Sequence, residues 1–135
     1  IINDLCRQAV EKSRLELRSD PRLLRNFVTL EDVCLAMQHC LAHPAGQEER
    51  LMNIGSGCAR SLGEMAGMVQ DRCQVVLGRR PQLQTPAVQD SPVPALKYDI
   101  GRMQACGIEL KEDFAAEIDH TLEACRRWFA PEASA

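Results

Sequence analysis

Residues 51–69 read LMNIGSGCARSLGEMAGMV. A short apolar run enters a glycine pair, and a serine and a glutamate then open a helical pattern. Gly55-Ser56-Gly57 supplies only G-x-G; a dinucleotide fingerprint requires a third glycine at the helix start, and position 60 is Arg. No G-x-x-x-x-G-K-[ST] occurs anywhere in the chain. Ser61-Leu62-Gly63-Glu64 instead forms a capping box: the serine oxygen accepts from the Glu64 amide, and the glutamate carboxylate reaches back to the Ser61 amide. With those donors occupied, the stretch predicts a structural strand-to-helix turn rather than a cofactor loop, with 51–54 a short buried strand.

Beyond the cap, Leu62, Met65, Ala66, Val69, Cys73, Val76 and Leu77 recur at helical spacing, and Gly78 ends the helix. Upstream, Ile1, Ile2, Leu5, Cys6, Ala9 and Val10 predict a helix ending near Lys12. RLELR at 14–18 alternates like a short strand, Ser19-Asp20-Pro21 reads as a turn, and 25–28 as a brief extended segment. Thr29 is an N-cap, with Glu31 and Asp32 in the first turn where carboxylates favour the helix dipole. Val33, Ala36, Met37, Cys40 and Leu41 form that helix's apolar stripe, and His43-Pro44-Ala45-Gly46 stops it before a polar loop at 44–50. Downstream, 79–97 carries four prolines and no helical period. It reads as a long extended connection with one strand at 82–84. Asp99 caps a short helix ending at Gly107. Phe114, Ile118, Leu122, Cys125 and Phe129 mark a closing amphipathic helix, and the tail after Pro131 is expected to fray. Residues 1–130 read as one domain.

At 135 residues, 45% apolar and 26% charged, the composition is that of an ordinary globular chain. A net charge of −3 gives no electrostatic footprint for nucleic acid. No apolar run is long enough to cross a bilayer, so no membrane association is expected. Aromatics are few (Phe27, Tyr98, Phe114, Trp128, Phe129), so the core rests on Leu, Ile, Val, Met and Cys. The seven cysteines are odd in number, scattered, and form no C-x-x-C pair, a usage suited to a reducing cytoplasm.

Several residues invite a chemical reading. His39 and His43 stand at i, i+4, a spacing that serves a metal. They lie at a helix end, and no third ligand is placed beside them, so no metal site is assigned. Tyr98, the one tyrosine, precedes Arg102 by four residues; a tyrosine acid/base wants a lysine there, so no catalytic residue is assigned. Arg14, Arg18, Arg22 and Arg25 form a basic segment in an acidic chain. Arginine forks suit phosphate and carboxylate, and Arg25 leads into the apolar pair Phe27-Val28.

The order of segments resembles a known family. RNFVTLEDVCLAM (25–37) is similar to the R-D-F-x-x-V-x-D-V-x-x-A segment of the extended short-chain dehydrogenases that act on nucleotide sugars. LMNIGSGCARSLGEMAGMV resembles their y-N-[IV]-G-s-G…S-x-x-E-x-A. YDIGRMQACGIEL (98–110) resembles their x-D-x-s-k-x-x-x-L-G-[WF] element, with a closing amphipathic helix after it. The resemblance implies an α/β fold: the helix-rich C-terminal, substrate-binding portion of these NAD-dependent epimerases and dehydratases, with a few short strands and without the N-terminal Rossmann core. It implies that NAD or NADP, the catalytic serine or threonine and the Y-x-x-x-K pair belong to polypeptide upstream of Ile1, so that this chain holds no cofactor and has no turnover by itself. It gives Arg25 contact with the diphosphate of a nucleoside-diphosphate sugar, and places the strand bearing Leu15 and Leu17 near the nucleotide base. Two departures stand out: Asn26 replaces the family's Asp, and QDSPVPALKYD lacks the R-P-G-D stretch that carries a second phosphate arginine. Either Lys97 or Arg80 substitutes for it, or the substrate is not a standard nucleoside-diphosphate sugar. The implied partner is the Rossmann half or a second copy of the chain. The competing expectation, from the residues alone, is a self-sufficient helical protein-interaction module without a small-molecule ligand.

Overall fold

The computed structural model describes residues 1–43, 51–88 and 90–130. The polar loop at 44–50, position 89 and the tail from Pro131 lie outside the described residues. Among the described residues, five helices and four short strands follow one another as α1 (Ile2–Lys12), β1 (Arg14–Glu16), β2 (Leu24–Arg25), α2 (Leu30–Ala42), β3 (Arg60–Ser61), α3 (Leu62–Leu77), β4 (Gln82–Gln84), α4 (Gly101–Ala105) and α5 (Phe114–Phe129).

Local chemistry accounts for most of these boundaries. α1 stops at Ser13, in the left-handed region at φ 53°. The Arg79 guanidinium donates to the carbonyls of Ala9 and Val10 (3.1 and 3.3 Å), satisfying acceptors that the helix end leaves open. Both halves of the capping box at α3 form, with Glu64 N to Ser61 Oγ at 3.1 Å and Ser61 N to Glu64 Oε2 at 2.7 Å. The amide bond from Ser61 holds the Glu64 carboxyl below its usual pKa. Gly78 closes α3 at φ 69°, a conformation that costs glycine nothing. Asp99 Oδ1 accepts from Gly101 N at 2.8 Å and so starts α4, which gives way to Gly107 at φ 75°.

The principal core lies where α1, α3 and α5 converge under β1. Leu5, Leu15, Leu62, Val69, Ile118 and Leu122 are each at most 2% exposed there. Full burial of such a side chain contributes roughly 1.5–3 kcal/mol. One cysteine from each helix (Cys6, Cys73, Cys125) fills the same core. Burial pushes the Cys6 thiol up to about 12, with a smaller contribution from Cys125 and Cys73, and the Cys73 thiol up to about 11. The other four cysteines are exposed, and all seven are free thiols. A second, smaller cluster joins Ala36 of α2 to Ile100, Met103 and Ile108 around α4.

Two two-stranded sheets flank the helices. β1 and β4 are parallel, with Leu15 opposite Leu83, and β2 and β3 are antiparallel, with Leu24 opposite Ser61 and Arg25 opposite Arg60.

Three sequence expectations are corrected. Residues 51–54 form no strand: Leu51 is 75% exposed, and no described backbone segment pairs with it. The strand expected at 25–28 is displaced to Leu24–Arg25, where β3 provides its partner. On α2 the expected stripe is buried only at Ala36, whereas Met37 and Leu41 are 56% and 81% exposed and Cys40 is also exposed. The remaining buried residue on α2 is Asp32. Among the described residues, no helix is long and apolar enough to cross a membrane.

Candidate functional site

The β2–β3 bridge seats Arg25 at the entrance to α3. The turn before it is closed by Leu23 N to Asp20 O (3.1 Å), and Asp20 is paired with Arg22, which lowers the Asp20 pKa through their side-chain hydrogen bonds. The first amides of α3 are engaged by this same turn: Leu62 N donates to Leu23 O (2.9 Å) and Gly63 N to Pro21 O (2.8 Å). With the capping box taking the next donor, the helix start offers its amides to its own chain rather than to a phosphate.

The Gly55-Ser56-Gly57 turn is clasped from two sides. Asn26 Nδ2 donates to Ser56 O and Ser56 N donates to Asn26 Oδ1, both at 2.9 Å. That reciprocal pair needs one donor and one acceptor on one side chain, which an amide provides and a carboxylate does not. An aspartate at position 26 could not make both bonds. From the other side, Gly57 N donates to Glu112 Oε1 at 2.8 Å. Tyr98 donates its hydroxyl to Ile54 O (3.2 Å) and lays its ring against Gly55, where a Cβ would stand 2.5 Å from Tyr98 Cε1. Arg102 Nη1 donates to Leu51 O at 2.9 Å. Both members of the Tyr98–Arg102 pair therefore fasten the 51–55 segment.

The residues singled out in the sequence do not all meet. Arg25 is exposed, its Nη1 donating to the Leu24 carbonyl at 2.8 Å, and it has no carboxylate partner among the described residues. Lys97 is exposed and directly precedes Tyr98 in the chain. Leu15 and Leu17 point into the core at 0% and 4% exposure. The amide of Leu17 donates to Gln84 O and that of Glu16 to Gln8 Oε1, so both amides are engaged within the chain. Arg80 lies past the far end of α3, which separates it from β3 by a helix about 24 Å long. There its Nη2 bonds Asp71 Oδ1 at 2.6 Å and Gln70 Oε1 at 3.2 Å. The rings of His39 and His43 stack with centroids 4.5 Å apart, and His43 Nδ1 lies 3.2 Å from His39 O. No group of three ligating side chains occurs among the described residues.

Two residues were missed. Asp32, read as a dipole-favouring carboxylate, is 1% exposed; it accepts from Thr29 Oγ1 and from the amides of Lys111 and Glu112 at 2.8–3.0 Å. Arg60 stands directly across from Arg25, its guanidinium 5.0 Å over the Phe114 ring. The signal for both was present only as the family-like D in position 32 and an arginine beside the capping serine.

No protein-family model and no curated protein matches this chain in sequence. Solved structures do match it in shape. RMD from Pseudomonas aeruginosa, complexed with NADPH, superposes with a TM-score of 0.72 at 18% identity over 93% of this chain and 42% of its own. The Thermus thermophilus UDP-glucose 4-epimerase, in complex with NAD, gives 0.66 at 20% identity over 93% and 40%. A Bacillus cereus UDP-glucuronic acid 4-epimerase variant, bound to NAD and UDP-4-deoxy-4-fluoro-glucuronic acid, gives 0.70 at 12% identity over 93% and 39%. The chain thus spans about two fifths of the length of these structures. It has the helix-rich α/β fold of the C-terminal part of the extended short-chain dehydrogenases to which NAD-dependent nucleotide-sugar epimerases and dehydratases belong.

Proposed function

We propose that this chain provides the nucleotide-sugar side of the cleft of an NAD(P)-dependent epimerase or dehydratase, with Arg25 gripping the diphosphate. The observation that carries this reading is an exposed guanidinium at the β2–β3 bridge, free of any described carboxylate, on a fold shared with enzymes solved with UDP-sugars. Such a fork makes paired, charge-assisted hydrogen bonds to phosphate oxygens. The residues present do not fit NAD(P) itself: the amides at the start of α3 are engaged, and Asn26 and Tyr98 fill the space above Gly55. The dinucleotide, and with it hydride transfer, is assigned to the Rossmann part of such an enzyme. This chain binds and orients the sugar donor but does not turn it over. Titration with UDP-, dTDP- and GDP-sugars should show binding that weakens about tenfold or more in Arg25→Ala, the loss expected for a charge-assisted contact. Equal affinity in parent and variant would remove Arg25 from the site.

The uncovered apolar side of α2 favours a protein contact as well. Leu30, Met37 and Leu41 are exposed, as are Val28 and Leu51. A surface of this kind matches a Rossmann half or a second copy of the chain. Concentration-dependent light scattering should therefore report self-association, and a strictly monomeric species at high concentration would refute the second-copy assignment. Absence of nucleotide-sugar binding by every form of the chain, together with such association, would instead favour a protein-interaction module.

A further inference from the structure

Taking Arg25 as a diphosphate ligand, as proposed above, we propose that Arg60 is the second arm of that site. It replaces the second phosphate arginine that residues 89–99 lack, and it reaches the ligand from β3 instead.

The register supplies the first argument. Arg25 and Arg60 are opposite partners of the antiparallel β2–β3 bridge. Side chains so paired project from the same face with Cβ atoms about 5 Å apart. Like charges in that relation repel, and among the described residues neither guanidinium has a carboxylate within ion-pair distance. Glu64, the counter-charge in Arg60's vicinity, is already bonded to the Ser61 amide.

The second argument is independent of register. Arg60 Nε is buried and has no hydrogen-bond partner among the described residues. That nitrogen is out of a ligand's reach, so the terminal nitrogens of the fork are the donors Arg60 can offer one. The guanidinium carbon lies 5.0 Å over the Phe114 ring, a cation–π contact that restrains the side chain. Two arginines paired across one bridge, neither with an ion-pair partner among the described residues, suit a ligand with two adjacent anionic groups, which is a diphosphate. Arg80, by contrast, is bonded to Asp71 beyond the body of α3.

The test uses the 135-residue chain with UDP, inorganic pyrophosphate and uridine as probes. Arg60→Lys keeps the charge and the aliphatic stem but removes the fork. It should weaken UDP and pyrophosphate binding by about tenfold and leave uridine binding unchanged, and Arg60→Ala should weaken the first two further. Pyrophosphate should also raise the melting temperature of the parent, a shift lost in Arg25→Ala and Arg60→Lys alike. If Arg60→Lys binds both anions as tightly as the parent while Arg25→Ala does not, the second arm is refuted and the role of Arg25 stands. If the parent binds neither UDP nor pyrophosphate, both assignments fall. Should Arg60→Ala not fold, Arg60→Lys alone decides.

Discussion

Asp32→Ala destabilises the protein by about 3 kcal/mol, the cost of leaving several buried donors without an acceptor. The carboxylate is 1% exposed and takes Thr29 Oγ1 at 2.8 Å, Lys111 N at 2.8 Å and Glu112 N at 3.0 Å. Through these bonds one side chain fastens the start of α2 to the segment that precedes α5. Glu112 depends on it most, because its backbone sits at φ 50°, a region that non-glycine residues occupy at a cost. Released from Asp32, Glu112 relaxes, and its carboxylate lets go of Gly57 N. The neighbouring Lys111–Glu31 ion pair is exposed on both sides and offers little compensation. Urea denaturation followed by circular dichroism measures the loss. A change below about 0.5 kcal/mol, the ordinary range for a surface site, would refute this account. Asp32→Asn retains one acceptor oxygen and should fall between the parent and the alanine variant.

Gly55→Ala has the second large effect, about 2 kcal/mol of destabilisation from overpacking. The new Cβ would stand 2.4 Å from Asn26 Oδ1 and 2.5 Å from Tyr98 Cε1, closer than any real contact. Either the ring swings away from Ile54 or the Asn26–Ser56 clasp opens; both loosen the turn beside Arg25. UDP-sugar affinity should fall together with stability. Gly67→Ala is the control, since nothing lies within 4 Å of a Cβ there and the residue is inside α3. It should stabilise by roughly 0.5–1 kcal/mol, as helix-interior glycines do on replacement. The same substitution thus carries opposite signs at two sites, and thermal denaturation of the pair separates them. Matching signs would show that Asn26 and Tyr98 do not crowd position 55.

What the sequence makes legible here is what neighbouring residues decide among themselves. The Thr29 cap, the Ser61–Glu64 box and the Gly78 stop each depend on residues within a turn or two and appear as expected; of the closing stripe Phe114, Ile118, Leu122 and Cys125 are buried, while its last member, Phe129, is 37% exposed. The failures are non-local. Periodicity identifies the apolar side of α2 but does not say whether anything covers it, and Met37 and Leu41 are left in solvent. Residues 51–54 have strand-like composition, yet a strand requires a backbone partner, and none is described beside them. Asp32 takes its amide donors from 79 and 80 residues downstream, beyond the reach of any motif. Arg60 matters through a register that links β2 to β3, while the capping box next to it suggested only a helix beginning.

α1 packs against α5, the first helix of the chain against the last one described, and α3 packs on both. While the polypeptide is being made, the stripes of α1 and α3 therefore have no lid until residues 114–129 have left the ribosome. Between the emergence of α1 and that of α5 these stripes stand uncovered, and apolar surface exposed in that interval is prone to aggregate. A stop codon before α5 removes one wall of the core, so premature termination there yields an aggregating product rather than a shorter working one.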